Sequence, residues 1–403
     1  MADWDAMPLG EVCTIKPPKS EARAKLAAGD EVSFAPMEDL GIGVKYLQPH
    51  RTRPLGQVSG SYTYFADGDV LLAKITPCFE NGKLGVARGL TNGVGFGSSE
   101  YIVLRPSPTL DAEFLYYYLA RPAFLEEGTR TMTGAVGHKR VTKEFVESYP
   151  IPLPPLGEQR RIVTILDEAF EGIATAKANA ERNLQNARDV LSASKRDVFR
   201  SLISKFGIDH LGAICDFENG DRGKNYPGKQ HRVAHGVPFI NAGHLDEEGL
   251  DFTAMDYIST ERFNLLGNGK IRPGDILFCL RGSLGKFASV GDLARGAIAS
   301  SLVILRPTQR LDTDFLLAFL SSHQCADQIE LLKGGAAQPN LGAKDLKRFE
   351  IPLPPLPAQR AVADQMLELQ MQTRMVESIY QRKLTALDEL KQSLLHQAFS
   401  GQL

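Results

Sequence analysis

The hexapeptide Ile-Pro-Leu-Pro-Pro-Leu occurs twice in this chain, at 151–156 and again 200 residues later at 351–356. The same offset continues through the flanking sequence and relates Gly134 to Gly334, Tyr149 to Phe349, Leu184 to Leu384 and Phe199 to Phe399. Repeats of solenoid proteins are roughly 20 to 50 residues long, so a period this long indicates a duplicated domain with its linker. The sequence therefore predicts two homologous halves in tandem.

Each half begins with short runs that are rich in β-branched and aromatic residues and are broken by Gly and Asn. These runs are SYTYF, GDVLLAKI and EYIVLRP in the first half and GDILFCL and SLVILRP in the second. Helical patterns follow the last run of each half, in DAEFLYYYLA from Asp111 and DTDFLLAFL from Asp312. This order predicts a mixed α/β globule in each half.

The sequence after each hexapeptide is almost free of Pro and Gly, and its apolar residues have helical spacing. It predicts two long amphipathic helices, over about 157–203 and 357–400, each on the order of 65 Å long. Antiparallel pairing as a coiled coil would place one globule at each end, about a pseudo-two-fold axis. The apolar positions include Leu184, Leu191, Met375, Ile379, Leu387 and Leu394, and the four leucines are interpreted as coiled-coil core.

The prolines of the hexapeptide lack an N–H, fix φ and disfavour helical geometry in the preceding residue. The segment is therefore predicted to be extended, with polyproline II geometry, and the helix to begin only after it. A stiff connector would set the angle between a globule and its helix. The alternative, a proline-rich ligand for an SH3-like partner, is less favoured because the segment recurs directly before both helices.

These patterns together predict an α/β fold with two globules separated by two antiparallel helices. The predicted regions are a first globule at 1–150, a joint and central helix at 151–205, a second globule at 206–350, and a joint and distal helix at 351–403.

Charge and cysteine content narrow the classes of function. Lys and Arg total 46 against 48 Asp and Glu, so any nucleic-acid binding must come from local basic loops. The five cysteines form no C-x-x-C pair, which indicates reduced thiols and neither a disulfide framework nor a zinc site. The first residues have no signal-peptide pattern and no apolar run reaches membrane-spanning length, so we expect a cytosolic protein without a membrane partner.

The combination of two globules, two long helices and the segment IPLPPLGEQRRIV resembles the specificity subunit of type I restriction-modification systems. YTYFADGDVLLAKITPCFENGKLGVA from Tyr62, GFGSSEYIVLRP from Gly95, VPFINAGHLDEEGLDF and GDILFCLRGSLGKFASV are similar to segments of that family's target recognition domains. The resemblance covers essentially the whole chain. It implies a non-catalytic subunit that reads a bipartite sequence in double-stranded DNA, one half-site per globule. The implied partners are two adenine methyltransferase subunits and a motor-nuclease subunit.

Three alternatives remain open at this point. The chain could be the specificity subunit of a related system with a different cleavage partner. It could be a coiled-coil scaffold whose globules bind protein or peptide, in which case added salt would affect binding little. It could be a self-sufficient modification enzyme that binds S-adenosylmethionine, although no Asn-Pro-Pro-aromatic motif is present.

Three groups of loops are candidate DNA contacts, because Lys and Arg neutralise phosphates, Arg suits guanine, and Asn and Gln suit adenine. Each of these residues could instead be a solvated surface group that does not contact DNA. The loop before each hexapeptide offers His138, Lys139 and Arg140 in the first half and Gln338 and Asn340 in the second. The turn after each Gly-Asp strand offers Lys74, Thr76, Glu80, Asn81 and Lys83, and Arg281, Ser283 and Lys286. The segment from Glu218 offers Arg222, Lys224 and Asn225.

No catalytic site or cofactor is expected, because P-loop, G-x-G-x-x-G and G-x-S-x-G motifs are absent. His231 and His235 have i, i+4 spacing but no second pair of ligands, so no metal is expected either. For the partner subunits, exposed positions near Gln159, Arg160, Gln359 and Arg360 are the candidates, because two identical partners need two equivalent faces.

Overall fold

The computed structural model describes residues 4–135, 137–246, 249–334 and 339–403. The chain forms two compact units. Unit 1 consists of Met1–Glu181 with Arg382–Leu403, and unit 2 is Arg182–Gln381. Each unit therefore contains one globule and a part of both long helices, whereas the predicted regions treat the helices as separate segments.

The globule of unit 1 precedes the first long helix. Its helices are α1 (Leu9–Val12), α2 (Ser20–Lys25), α3 (Leu55–Val58), α4 (Ala112–Leu119), α5 (Pro122–Thr131) and α6 (Lys143–Ser148). Its strands are β1 (Ala6–Pro8), β2 (Cys13–Ile15), β3 (Glu31–Ala35), β4 (Arg51–Pro54), β5 (Thr63–Ala66), β6 (Val70–Ala73), β7 (Leu84–Val86), β8 (Val94–Gly97), β9 (Tyr101–Pro106) and β10 (Pro150–Pro152).

Two four-stranded sheets form the frame of this globule. One is antiparallel, with the order β2-β9-β6-β7, and the other is mixed, with the order β4-β3-β8-β5 and a parallel β3-β8 pair. The first sheet packs against α4, whose buried face carries Phe114, Leu115 and Leu119. A separate pair, β1 with β10, lies at the junction with the long helix.

The long helix α7 (Leu156–Phe206) leads into the globule of unit 2, and α13 (Leu356–Phe399) follows it. The helices between them are α8 (Leu211–Ile214), α9 (Thr260–Leu265), α10 (Thr313–Leu320), α11 (His323–Leu332) and α12 (Ala343–Leu346). The strands are β11 (Ile208–His210), β12 (Cys215–Asn219), β13 (Arg232–Val233), β14 (Val237–Ile240), β15 (Leu245–Asp246), β16 (Gly249–Leu250), β17 (Asp256–Ile258), β18 (Ile276–Cys279), β19 (Phe287–Ser289), β20 (Ala297–Ile298), β21 (Leu302–Pro307) and β22 (Glu350–Pro352).

The second globule repeats the antiparallel sheet of the first, which is the frame that both globules share, but its mixed sheet has the parallel pair at one edge instead of at the centre. Its antiparallel sheet has the order β12-β21-β18-β19, and its mixed sheet has the order β13-β17-β14-β20 with a parallel β14-β20 pair. Strands β11 and β22 pair as β1 and β10 do. The predicted duplication and mixed α/β class are confirmed.

The same ion pair fixes the antiparallel sheet in both globules. Asp69, which is fully buried before β6, accepts two hydrogen bonds from Arg105 at the end of β9, at 2.7 and 2.8 Å. Asp275 and Arg306 repeat both contacts at the same distances. A buried carboxylate needs a charged, hydrogen-bonded partner, and this requirement explains the Gly-Asp and Leu-Arg-Pro segments of each half.

The two long helices run antiparallel within each unit. In unit 1, Arg161 Nη2 donates to Leu403 O at 2.7 Å, and Lys177 contacts Asp388 at 2.7 Å. In unit 2, Asn183 Nδ2 donates to Tyr380 Oη at 3.0 Å, and Arg188 contacts Glu377 at 2.6 Å. Residues further along α7 therefore contact residues that come earlier in α13, so the helices are antiparallel, as predicted.

The apolar seam of the helices differs in part from the prediction. Leu184, Leu191, Leu387 and Leu394 are half-buried, as a two-helix seam requires. Met375 and Ile379 are instead exposed, because a row with four-residue spacing drifts around the helix and leaves the seam. No helix in the described residues is long and apolar enough to cross a membrane.

The hexapeptide is extended, but not as polyproline II throughout. Its first two residues continue β10 or β22, and the paired strand β1 or β11 supplies their hydrogen-bonding partners. The long helices begin at Leu156 and Leu356, the last residue of each hexapeptide. Each helix thus begins one residue earlier than predicted, before Gly157 in the first half and before Pro357 in the second, because a proline in the first helical turn costs no intrahelical hydrogen bond.

Candidate nucleic-acid interface

Two of the candidate loops of unit 1 lie side by side. Thr133 and Arg140 exchange backbone hydrogen bonds of 2.9 and 3.0 Å, which close the loop between them. Val141 N donates to Lys74 O at 2.9 Å, and Thr76 N donates to Lys139 O at 2.9 Å. The segment after β6 and the loop before the hexapeptide therefore form one surface, although more than 60 residues separate them in sequence.

Gly134 allows this loop to close. Its φ is +125°, and a Cβ at this position would lie 2.8 Å from His138 O. Only glycine adopts this conformation without strain, and no larger residue would fit. Beyond it, His138, Lys139 and Arg140 are all exposed, as a loop that contacts DNA requires.

Arg140 is held in place by a carboxylate. Its Nε donates to Glu100 Oε2 at 2.9 Å, its Nη2 to Glu100 Oε1 at 2.8 Å, and its Nη1 to His138 O at 3.0 Å. Lys74 Nζ lies 3.9 Å from the same carboxylate and donates to Ser99 O at 2.9 Å. Hydrogen bonding from Arg140, with the nearby Lys74 charge, lowers the pKa of Glu100.

A cleft of about 560 Å³ opens beside this pair. Cationic side chains line it from three elements, namely Lys16, Lys19, Lys74, Arg140 and Lys143, together with Tyr62 and Tyr64. Burial, and to a smaller extent the neighbouring Arg23 and Lys16 charges, lower the pKa of Lys19. Such a cleft attracts phosphate.

The remaining candidate residues of unit 1 differ in exposure and in the hydrogen bonds that their side chains already make. Asn81 is exposed, whereas Lys83 is half-buried and donates to Met37 O at 2.8 Å. Thr76 Oγ1 donates to Glu80 Oε1 at 2.7 Å. The other oxygen of Glu80 is buried without a hydrogen-bond partner among the described residues. A carboxylate repels phosphate, so Glu80 fits the orientation of Thr76 better than direct phosphate contact.

Unit 2 builds the same loop junction with other side chains. Asn340 exchanges backbone hydrogen bonds of 2.8 and 2.9 Å with Gly334, and Leu341 N donates to Leu280 O at 3.0 Å. Arg281 forms an isolated antiparallel β-bridge with Asn340, and Ile75 forms the equivalent bridge with Arg140 in unit 1. Arg281, Ser283 and Lys286 are exposed. Gln338 lies outside the described residues.

The segment after β12 lies next to this junction. Arg222 Nη2 donates to Ser300 O at 3.2 Å, and the next residue, Ser301, accepts from Leu280 N at 2.8 Å. Asn225 Nδ2 donates to Leu265 O at 2.8 Å, and Lys224 is exposed. Asn340, Arg281 and Arg222 thus lie around Leu280, whereas Asn225 contacts Leu265.

Asp221 fixes that segment. Its carboxylate accepts from Gly223 N at 2.7 Å and from Gly267 N at 2.9 Å, and these backbone hydrogen bonds lower its pKa. His231 and His235 stand further along, and the described residues contain no cluster of three metal-ligating side chains.

The expectation that Gln159 and Gln359 are exposed is wrong, because both are fully buried. Gln159 Oε1 accepts from Asp111 N at 2.7 Å, and its Nε2 donates to Thr109 O at 2.9 Å and Pro154 O at 2.8 Å. Gln359 makes the same three contacts with Asp312 N, Arg310 O and Pro354 O. The repeated glutamine anchors the long helix to the globule. Arg160 and Arg360 are exposed, at 71% and 68%.

The sequence did not single out Glu100, Lys16, Lys19 or Lys143. The change from Glu100 to Ser301 at equivalent positions accompanies the change from Arg140 to Asn340, and this paired difference was visible in the repeat. The three lysines carried no such signal, because distant segments bring them to the cleft.

The sequence profile of the type I restriction modification DNA specificity domain matches residues 1–183 and 204–381. The chain belongs to this family. Among its relatives, the specificity subunit of the type I restriction enzyme EcoEI from Escherichia coli is 42% identical over 164 residues, which are 40% of this chain and 26% of the relative. The EcoAI specificity subunit, also from Escherichia coli, is 38% identical over 164 residues, which are 40% of this chain and 27% of the relative. These two matches thus span about a quarter of each relative.

Two solved structures share the fold over the full chain. One, from work on complex assembly and conformational transition of the type I R-M system, has a TM-score of 0.81 at 22% identity and covers 100% of this chain and 99% of its own. The HsdS subunit from Thermoanaerobacter tengcongensis has a TM-score of 0.67 at 20% identity and covers 100% of this chain and 98% of its own. The family's architecture is therefore that of this chain.

Proposed function

We propose that the chain is the DNA-recognition subunit of a type I restriction-modification complex and reads a bipartite target, with one half-site per unit. One observation carries this proposal: both units build the same loop junction on the same frame, but equip it with different side chains. Glu100 and Arg140 in unit 1 correspond to Ser301 and Asn340 in unit 2. A conserved frame with diverged loops is what two readers of different sequences need.

The chemistry of the loops fits duplex DNA. Lys139, Arg222, Lys224, Arg281 and Lys286 are exposed cations that can neutralise phosphates. Arg and Asn can read guanine and adenine edges in the major groove. Because the chain's net charge is −2, DNA binding would depend on such local basic surfaces.

In the proposed complex, the chain contributes recognition and no catalysis. Two methyltransferase subunits would modify adenines in the two half-sites, and a motor-nuclease subunit would join for cleavage. The proposed compartment is the cytosol. Arg160 and Arg360 are the candidate docking residues, because they stand at equivalent, exposed helix starts.

A methylome experiment tests the proposal. The chain would be expressed with its neighbouring methyltransferase in a host without adenine methylation, and modified adenines would be mapped by long-read sequencing. A split motif with an unspecified spacer, present only with this chain, is the expected result. If a methyltransferase that is active with another specificity subunit adds no methylation, and binding responds little to salt, the chain is a protein-binding scaffold instead.

Paired insertions test whether the helices set the spacer. One heptad would be added to α7 after Glu181 and one to α13 after Gln381, which preserves the antiparallel register. We expect a changed spacer with unchanged half-sites, whereas altered half-sites would contradict this role. An insertion in α7 alone is the control, because it shifts the register and should abolish methylation.

Charge reversal at the helix starts tests the docking residues. The Arg160→Glu and Arg360→Glu variants should each bind less methyltransferase in a pull-down, and the double variant should bind least. Arg200→Glu on the same helix α7, where Arg200 is also exposed, is the matched control. Equal binding by all variants would place docking elsewhere.

A further inference from the structure

Stability does not explain the contact between Glu100 and Arg140. The Arg140 side chain is 44% exposed and that of Glu100 24%. Exposed ion pairs of this kind contribute little to the stability of a fold. The geometry is nevertheless specific, since two parallel hydrogen bonds and a third to the backbone leave the guanidinium in one orientation.

The contact leaves a defined set of donors. Arginine has five N–H groups, and three of them are engaged by Glu100 and His138. Each of the terminal nitrogens, Nη1 and Nη2, keeps one N–H without an acceptor among the described residues. Two N–H groups are the number of donors that a bidentate contact with O6 and N7 of guanine needs.

We propose that Glu100 is a positioning residue that orients Arg140 to read a guanine in the half-site of unit 1. The inference rests on the proposed function and assigns one base of the half-site to one residue. An arginine that is already fixed loses less side-chain entropy on binding, so more of its hydrogen-bond energy serves discrimination. Lys74 Nζ, 3.9 Å from Glu100 Oε2, adds a second positive charge beside the carboxylate.

A guanine contact fits better than a phosphate contact. Phosphate has acceptor oxygens in several directions and gains little from a fixed donor, and Lys16, Lys19, Lys139 and Lys143 already offer positive charge nearby. A carboxylate at 2.8 Å from the guanidinium would also repel phosphate. Guanine O6 and N7 are uncharged and lie in a fixed plane, so they tolerate the carboxylate and benefit from the orientation.

Unit 2 supplies the internal comparison. Its equivalent position to Arg140 is Asn340, and Ser301 stands where Glu100 would be. The carboxylate and the arginine are thus lost together. An asparagine needs no carboxylate to orient it, and its amide suits adenine rather than guanine.

The experiment uses the full chain in complex with its methyltransferase. Binding would be measured to duplexes that carry the wild-type split motif with each base varied in turn, and to an unrelated duplex. For Arg140→Ala we expect a loss of about tenfold to a hundredfold in preference for one guanine of one half-site. The other half-site and the spacer should keep their preferences, which shows that the variant is folded.

Glu100→Gln separates positioning from a structural role. The amide accepts one N–H of Arg140 and opposes the other, so the guanine preference should fall. Because a negative charge is removed, affinity for the unrelated duplex should stay equal or rise. Lys139→Ala is the control, and should weaken binding to all duplexes alike.

Three results would overturn the inference: a wild-type motif without guanine in the half-site affected by Arg140, an unchanged preference in Arg140→Ala, or an equal loss on every duplex in Glu100→Gln. A wild-type complex that selects no split motif would overturn the proposed function itself. The two failures are therefore distinguishable.

Discussion

The loop junctions of unit 1 and unit 2 differ in side chains, while the frames beneath them are the same. Asp69 with Arg105 and Asp275 with Arg306 have identical contact distances, and Gln159 and Gln359 anchor the helices through the same three hydrogen bonds. The loops carry Glu100 and Arg140 in one unit and Ser301 and Asn340 in the other. The buried Asp–Arg and glutamine contacts are thus kept in both units, whereas the loop residues above them differ.

The largest expected effect concerns two equivalent phenylalanines. Phe399 packs edge-on against Phe114 and Tyr118 in unit 1, and Phe199 packs against Phe315 and Phe319 in unit 2. Replacing either by Ala should cost about 3 to 5 kcal/mol in the free energy of unfolding. Hydrogen exchange followed by mass spectrometry should locate the loss in unit 1 for Phe399→Ala and in unit 2 for Phe199→Ala.

Phe206→Ala is the control for that pair, because Phe206 is exposed at the end of α7. It should leave exchange in both units close to wild type. A loss in unit 1 from Phe199→Ala would contradict the antiparallel pairing.

The next effect tests the symmetry of the buried glutamines. Gln159→Leu leaves one N–H and two carbonyl groups without their partner, and each lost partner of a buried group costs about 1 to 3 kcal/mol. Gln359→Leu should cost the same in unit 2, within experimental error. Urea unfolding measures both. Gln185→Leu, at an exposed position of α7, should change little.

A third effect should break the symmetry. Lys45 Nζ lies 2.6 Å from both Glu113 and Asp167, and Tyr117 Oη also donates to Asp167. In unit 2 the positions equivalent to the two carboxylates are Asp314 and Leu367, and Leu367 is exposed. Lys45→Met should therefore destabilise unit 1 alone, by about 1 to 2 kcal/mol given its partly exposed partners.

Thermal unfolding with exchange mapping would check this expectation. Lys177→Met is the control, because it removes one helix contact that is more exposed. Similar losses from both variants would show that the Lys45 cluster is no more than a surface ion pair.

The smallest effect is the pH dependence of one set of contacts in unit 2, those of Asp221. The pKa of Asp221 is lowered in the folded chain, so its contribution is present above the ordinary aspartate pKa of about 3.8 and is lost as pH falls through the folded value. Amide exchange at Gly223 and Gly267, corrected for intrinsic rates, should accelerate in that acidic range. Asp221→Asn should show the faster exchange already at neutral pH; unchanged protection would refute this role of the carboxylate.

Much of this fold was predictable from local patterns. The proline segments marked the helix starts, the apolar runs marked β6, β9, β18 and β21, and Asp111 and Asp312 appeared at the starts of α4 and α10, which they cap. The positions of Met375 and Ile379 were not predictable in this way, because helical spacing alone does not reveal how a row of residues drifts away from a partner.

The candidate site was predictable only as separate loops. That Lys74 and Val141 are hydrogen-bonded neighbours depends on sheet and loop packing across a long sequence separation, which has no local signal. The role of Gln159 was mistaken for the same reason. Two of its three partners, Asp111 and Thr109, lie just before α4, and the third, Pro154, lies in the hexapeptide. The divergence of Glu100 and Ser301 could be read from the repeat but not interpreted without the contact to Arg140.

Each long helix contributes residues to both units, and this has a consequence for biosynthesis. Unit 2 is one continuous stretch of chain, whereas unit 1 needs Arg382–Leu403 to cover its core. The globule that leaves the ribosome first is therefore completed last. A chain that stops after Gln381 would keep every residue of unit 2 and lose Phe399 from the core of unit 1, so a C-terminal truncation damages the N-terminal globule.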